Sequence, residues 1–224
     1  MKVKAVIFDM DGVIADTEPL HEKARNRLLA ELELDVEKIS PTAIGRSKRA
    51  FWGEVVSEYS LPYTADELTV REFSFLMEIA RNSGLRPSEG LTELLKFLQS
   101  RNIKAAVASS SDRNYVESIL QITHLNGYFC ATACGDEVPT AKPAPDVYLR
   151  AMHLCGVTAD EAIAVEDSDT GAKAAVAAQI PCVAYDVVED KKLKQKFDVC
   201  SYRVHHMNEI ENIVQGVNVS RYAI

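Results

Sequence analysis

The sequence predicts an α/β fold, because short apolar runs with the character of buried strands alternate with segments of helical spacing. The clearest runs cover residues 3–8, 103–108 and 162–165, and each contains at most one charged side chain. Such continuous apolar runs are typical of strands buried on both faces of a parallel sheet. Residues 88–99 instead place their leucines three and four positions apart, as an amphipathic helix does.

A stretch in which every predicted element is a helix, residues 17–83, interrupts this alternation after the first strand. Thr64 and Glu67 form the Thr-x-x-Glu pattern of a capping box and predict the start of a long helix. Residues 35–46 are expected to form a loop. The stretch therefore predicts a small helical domain inserted into the α/β domain. The expected bounds are residues 1–16 and 84–224 for the α/β core domain and residues 17–83 for the helical domain.

Composition and charge limit the possible classes of function. The chain has 224 residues, of which 47% are hydrophobic, and a formal net charge of −8, so a nucleic-acid partner is not expected. No apolar run approaches the roughly 18 residues of a membrane span. The five cysteines show no Cys-x-x-Cys spacing, which favours reduced, mostly buried thiols over a zinc site. We expect a cytoplasmic monomer without membrane or nucleic-acid partners.

An acidic loop directly follows the first predicted strand. Asp9 and Asp11 are two positions apart, so on an extended chain their side chains point to the same side. Neighbouring carboxylates repel each other unless a cation lies between them, and hard oxygen ligands suit Mg²⁺. Gly12 permits backbone conformations that other residues resist. Taken alone, Asp-x-Asp-Gly is also compatible with a solvated turn.

Polar side chains also follow the later predicted strands, at the edge where ligand sites form in parallel sheets. Ser109 begins a serine run after the second core strand, and Glu166 and Asp167 follow residues 162–165. The serine run is equally compatible with helix capping. Lys142 lies in a loop whose backbone is restricted by two prolines. Considered alone, Lys142 is also compatible with an ordinary surface lysine.

Together these segments resemble the four motifs of the haloacid dehalogenase superfamily. The first motif, the nucleophile loop, is matched by Phe-Asp-Met-Asp-Gly-Val-Ile-Ala-Asp-Thr at 8–17. The second motif is matched by Ser109. The third is matched by Lys-Pro-Ala-Pro-Asp at 142–146, and the fourth by Glu-Asp-Ser-Asp-Thr-Gly at 166–171. The resemblance covers the whole chain. It implies a Rossmann-like parallel sheet with helices on both faces and an inserted small helical cap. That subgroup includes β-phosphoglucomutase and sugar-phosphate phosphatases.

The resemblance also implies catalytic roles. Asp9 is the nucleophile that forms an aspartyl-phosphate, Asp11 is the general acid and base, and Ser109 and Lys142 hold the transferring phosphoryl group. The implied Mg²⁺ ligands are Asp9, the backbone carbonyl of Asp11, Glu166 and Asp167.

Substrate recognition is expected from the cap and from the second motif. The candidate substrate-binding residues are His21, Gly45, Arg46, Ser47, Lys48 and Ser110. The cap loop resembles the Gly-x-Ser-Arg loop of the mutase, but Lys48 stands at the arginine position, and lysine lacks the bidentate phosphate grip of arginine. The function expected is therefore a Mg²⁺-dependent phosphatase of small phosphorylated metabolites, with sugar phosphates as the foremost class. The alternatives are a β-phosphoglucomutase-type mutase and a catalytically silent phosphate-binding or interaction domain.

Overall fold

A computed structural model describes residues 2–43, 46–187 and 195–216. The chain divides into two compact units, which we call the core unit (Met1–Asp16 and Arg86–Ile224) and the helical unit (Thr17–Leu85). The helical unit thus ends at Leu85, beyond the expected boundary at residue 83. None of the described helices combines the length and the apolar character needed to cross a membrane.

The core unit is built on a parallel sheet, as the sequence predicts. Its described strands are β1 (Ala5–Phe8), β2 (Lys104–Ala108), β3 (Ala131–Ala133), β4 (Ala162–Glu166), β5 (Cys182–Tyr185) and β6 (Tyr202–Val204). They pair in the order β3-β2-β1-β4-β5-β6, and every pairing is parallel. Every residue of β1 is 0% exposed, which requires that both faces of the sheet are covered.

Helices precede or follow these strands along the chain. The described α-helices are α1 (Glu18–Glu31), α2 (Val36–Ile39), α3 (Lys48–Tyr59), α4 (Ala65–Asn82), α5 (Leu91–Ser100), α6 (Arg113–Ile122), α7 (Asp146–Cys155), α8 (Asp169–Ala177) and α9 (Glu209–Gln215). Apolar residues of α7 and α8 pack on one face of the sheet, with Ile7, Ala106 and Ala164. The result is the Rossmann-like α/β architecture that the sequence predicts.

The register of the three central strands determines which residues meet at the carboxyl edge of the sheet. Phe8 of β1 is aligned with Val107 of β2 and with Val165 of β4. The backbone N–H of Asp9 continues the ladder by donating to the carbonyl of Val165 at 2.9 Å. Asp9 is therefore held at the level of the last residues of β2 and β4.

The helical unit has its own apolar core, which includes Leu28, Trp52 and Leu68. The predicted capping box at the start of α4 is confirmed, since Thr64 and Glu67 make both of its hydrogen bonds. These contacts fix α4, the longest helix of the unit, at its first turn.

The expected loop at residues 35–46 is wrong in part. The carboxylate of Asp35 accepts a hydrogen bond from the N–H of Lys38 at 3.1 Å and caps the short helix α2. A 3-10 turn, Ser40–Ala43, follows directly. A single capped turn is too short to show helical periodicity in the sequence. The sequence feature that marks this helix is Asp35, because aspartate is a common helix-capping residue.

Glu137 links two helices of the core unit to the end of β3. Its carboxylate accepts hydrogen bonds from Arg150 of α7 at 3.0 Å, from Arg113 of α6 at 2.7 Å and from the N–H of Cys134 at 3.1 Å. Arg150, with Arg113 and the Cys134 N–H, lowers the pKa of Glu137 to about 2. A carboxylate bound by two guanidinium groups is stabilised in its charged form.

Replacing Glu137 by Gln is expected to lower the unfolding midpoint at pH 7 by roughly 3–6 °C, because both arginines lose a charged partner. The pKa is depressed, so the stabilising contribution is complete above the ordinary value of 4.5 and is lost as the pH falls towards about 2. The difference between wild type and Glu137→Gln should therefore shrink from pH 5 to pH 3 in urea titrations. Glu93→Gln, at an exposed site on α5, is the control, and an equal loss in both variants would contradict the account.

Candidate active site

The ammonium group of Lys142 lies at the centre of the polar edge of the sheet. It donates to Asp9 Oδ1 at 2.6 Å, to Glu166 Oε1 at 2.7 Å and to the carbonyl oxygen of Ala108 at 2.9 Å. An ammonium group has three hydrogens, and these three bonds use all of them. The side chains of Lys142 and Glu166 are 5% and 0% exposed. The predicted lysine is therefore a buried site residue and not a solvated one.

Three carboxylates converge beside this lysine. Oxygens of Asp9, Glu166 and Asp167 lie within 4.8 Å of one another. Gly12 makes this arrangement possible, since a Cβ at its position would lie 2.1 Å from Asp167 Oδ2. The φ angle of Gly12, +81°, also belongs to the left-handed region that favours glycine. A side chain at position 12 would displace Asp167 from the cluster.

The electrostatics of this cluster fit a bound cation. Burial and the neighbouring Glu166 carboxylate raise the pKa of Asp9 to about 7, against the opposing effect of Lys142. The positive charge of one ammonium group thus does not balance the negative charges of three carboxylates. A set of oxygen donors with excess negative charge suits a hard divalent ion such as Mg²⁺.

Asp11 is held by a tyrosine that the sequence analysis did not single out. The hydroxyl of Tyr115 donates to Asp11 Oδ1 at 2.5 Å, and Ser111 Oγ lies 3.4 Å from Oδ2. Tyr115 is 3% exposed and lies near the start of α6. In the sequence, Tyr115 follows shortly after the serine run at the carboxyl end of β2, and this position could have marked it as a site residue. The role of the Asp11 backbone carbonyl as a metal ligand stays a prediction.

Ser109 follows β2 directly and is 1% exposed. Its N–H donates to the carbonyl of Ala133 at 3.0 Å, and its Oγ accepts from the N–H of Ser111 at 3.0 Å. The strand register places Ser109 one residue beyond the level of Asp9. Ser110, the next residue, is exposed. Its backbone packs closely on Gly135, where a Cβ would lie 2.2 Å from the Ser110 carbonyl oxygen.

Tyr148 is a second residue that the sequence analysis missed. Its hydroxyl donates to Glu166 Oε1 at 2.6 Å, and its ring centroid lies 5.0 Å from Lys142 Nζ. Burial and the Glu166 carboxylate raise the pKa of Tyr148, which keeps its hydroxyl a hydrogen-bond donor. A Cβ at Gly171 would lie 2.0 Å from the Glu166 carboxylate, so this carboxylate is closely enclosed.

The predicted cap residues lie in the helical unit. His21 is partly buried on α1, and Lys48 is the partly buried first residue of α3. Ser47 caps α3 by accepting from the N–H of Ala50 at 3.2 Å, and Arg46 pairs with Glu54. Gly45 lies outside the described residues. Arg46 and Ser47 thus have structural partners within the unit, and their contact with substrate stays a prediction.

Comparison with known proteins identifies the family. A model of haloacid dehalogenase-like hydrolases matches residues 3–179. The chloroplastic protein SUPPRESSOR OF QUENCHING 1 of Arabidopsis thaliana is 34% identical over 188 residues, which cover 82% of this chain but only 18% of that protein. A phosphorylated carbohydrates phosphatase of Thermotoga maritima is 30% identical over 194 residues, covering 83% of this chain and 86% of the phosphatase.

A solved structure agrees with this result. The structure of a candidate β-phosphoglucomutase from Thermotoga maritima matches with a TM-score of 0.80 at 27% identity, covering 96% of this chain and all of the other. The family match extends over all four motifs, from Asp9 to Asp167, and the structure brings residues of these motifs to one edge of the sheet. The chain belongs to the haloacid dehalogenase-like hydrolase family.

Proposed function

We propose that this chain is a Mg²⁺-dependent phosphatase that hydrolyses phosphate esters of small metabolites, sugar phosphates foremost, through an aspartyl-phosphate. The observation that carries the proposal is the buried contact of Lys142 with Asp9 and Glu166 beside Asp167. A solvated acidic turn would not need a buried lysine or a glycine that makes room for a carboxylate. The 30% identity to a phosphorylated carbohydrates phosphatase supports the substrate class.

The proposed Mg²⁺ ligands are Asp9, Glu166, Asp167 and the backbone carbonyl of Asp11. When bound, the ion offsets the repulsion between these carboxylates and the anionic ester.

Asp9 performs the first half of the reaction. Lys142 favours its ionised form, and one carboxylate oxygen forms a bond to phosphorus while the bond from phosphorus to the alcohol oxygen breaks. Asp11 gives its proton to the departing alcohol oxygen. Lys142 and Ser109 stabilise the negative charge that spreads over the phosphoryl oxygens.

Asp11 performs the second half by taking a proton from water. The oxygen of that water attacks phosphorus, the bond to Asp9 breaks, and inorganic phosphate leaves with the site restored. The hydrogen bond from Tyr115 holds the Asp11 carboxylate in place between the two steps.

Within the same proposal, His21, Gly45, Arg46, Ser47 and Lys48 of the helical unit contribute to substrate binding, as does Ser110 of the core unit. A cytoplasmic, monomeric state is also part of this proposal and rests on the composition of the sequence.

A mutase is the second candidate, favoured by the 27% identity to a candidate β-phosphoglucomutase. The core chemistry is the same, and the acceptor is a second sugar hydroxyl instead of water. Lys48, where the mutase loop has arginine, weighs against it.

Phosphate release across a panel of sugar phosphates, with Mg²⁺ and with a chelator, distinguishes these functions. The expected result is Mg²⁺-dependent free phosphate from several esters. Conversion of β-glucose 1-phosphate to glucose 6-phosphate without net phosphate release would establish the mutase. The absence of turnover on every ester would favour a silent binding domain.

Replacing Asp9 by Asn is expected to lower kcat by about 10⁴-fold or more, because the amide cannot attack phosphorus. The thermal midpoint should not fall, since burial of a charged group is costly. Parallel measurements of phosphate release and unfolding test this. A variant that retains substantial turnover would remove Asp9 as the nucleophile.

Replacing Tyr115 by Phe is expected to lower kcat about tenfold with little change in KM, because Asp11 loses the hydroxyl that positions it. Tyr202→Phe, on β6 at the far edge of the sheet, is the matched control and should be neutral. Equal effects of the two variants would show that the contact between Tyr115 and Asp11 has no catalytic role.

Replacing Gly12 by Ala is expected to lower kcat/KM by about 100-fold or more, because the new Cβ displaces Asp167. Gly156→Ala is the control: Gly156 also has a positive φ, +63°, but no atom apart from those of its chain neighbours lies within 4 Å of the position that a Cβ would take there. Both variants should lose stability from backbone strain, and only Gly12→Ala should lose activity. Full activity in Gly12→Ala would contradict the role assigned to this glycine.

A further inference from the structure

Two cysteines of the core unit lie side by side, away from the polar edge of the sheet. Cys130 immediately precedes β3, and Cys155 is the last residue of α7. Their Sγ atoms are 3.6 Å apart, close enough for a hydrogen bond between the thiols. A disulfide bond is about 2.05 Å long, so the two sulfur atoms would have to approach each other by about 1.5 Å to form one.

The two thiols differ in access to solvent. Cys130 is exposed and lines a pocket of about 410 Å³ together with Gln121, Asn126 and Thr132. Cys155 is 2% exposed and is not among the lining residues. A small reagent therefore reaches Cys130 first, and Cys155 can react only with what forms on Cys130.

The surroundings also favour a thiolate on Cys130. The hydrogen bond with Cys155 lowers the pKa of Cys130 to about 6 against the opposing effect of partial burial, and the nearby ammonium group of Lys104 also lowers it. That ammonium donates to the carbonyl oxygen of Cys155 at 2.6 Å, which holds it beside the pair. The bond with Cys130 raises the pKa of Cys155, which keeps its proton. The thiolate is the reactive form of cysteine, so reactivity and access coincide at Cys130.

We propose that Cys130 is a site of reversible oxidation by hydroperoxides, with Cys155 as the resolving thiol. The Cys130 thiolate attacks the hydrogen-bearing oxygen of the peroxide and becomes a sulfenic acid, while the O–O bond breaks and the other oxygen leaves as hydroxide or, from an organic hydroperoxide, as alkoxide. The Cys155 sulfur then attacks the Cys130 sulfur, and the sulfenic oxygen leaves as water with the thiol proton. The product is a disulfide that joins β3 to the end of α7, and a dithiol reductant reverses it.

Hydrogen peroxide at one equivalent, added to the folded protein near pH 7, tests the proposal. The expected product is about 2 Da lighter, contains two fewer free thiols, and returns to its original mass with dithiothreitol. Proteolytic mapping should link Cys130 to Cys155. Free Cys130 after this treatment, or a disulfide between any other two cysteines, would overturn the proposal.

Variants separate the roles of the two residues. Cys155→Ser should stop at a sulfenic acid on Cys130, about 16 Da heavier and trapped by dimedone. Cys134→Ser is the matched control, because Cys134 is close in sequence but buried, and burial raises its pKa to about 11. This variant should form the disulfide as wild type does. A dimedone adduct on any residue other than Cys130 in Cys155→Ser would refute the assignment.

Discussion

The buried ammonium group of Lys142 is the contact on which the rest of the site depends. Burial alone would lower the pKa of this lysine, but the carboxylates of Asp9 and Glu166 outweigh burial and raise it. Its three hydrogen bonds reach residues at the ends of β1, β2 and β4, which are neighbours in the sheet. The position of Asp9, the proposed nucleophile, therefore depends on the strand register, and a shift of one residue would separate the lysine from its partners.

The balance of charge explains how an acidic chain can bind an anionic ester. With a formal net charge of −8, the chain as a whole repels phosphate. At the site, one lysine faces three carboxylates, and burial with Glu166 raises the pKa of Asp9. The same excess of negative charge that opposes the ester favours a divalent cation. In the proposed function, attraction of the ester therefore comes from Lys142, Ser109 and a bound metal ion.

The sequence alone was sufficient to place the residues that follow directly on strands. Asp9, Ser109 and Glu166 could be predicted because each comes immediately after, or at the end of, an apolar run, and parallel strands end at the same edge. Tyr115 and Tyr148 could not be predicted in this way, because they lie within helices. Which side chains of a helix face the site depends on how the helix is rotated against the sheet, and that is set by tertiary packing.

The proposed mechanism requires that a phosphoryl group is transferred to Asp9, and this transfer can be measured directly. The Asp11→Asn variant lacks the base for hydrolysis, and acetyl phosphate has a leaving group that needs no general acid, so together they should accumulate the phosphorylated protein. After an acid quench, we expect a mass increase of about 80 Da that fragmentation assigns to Asp9. A phosphoryl group on another residue, or phosphate release without any phosphorylated protein, would contradict the account.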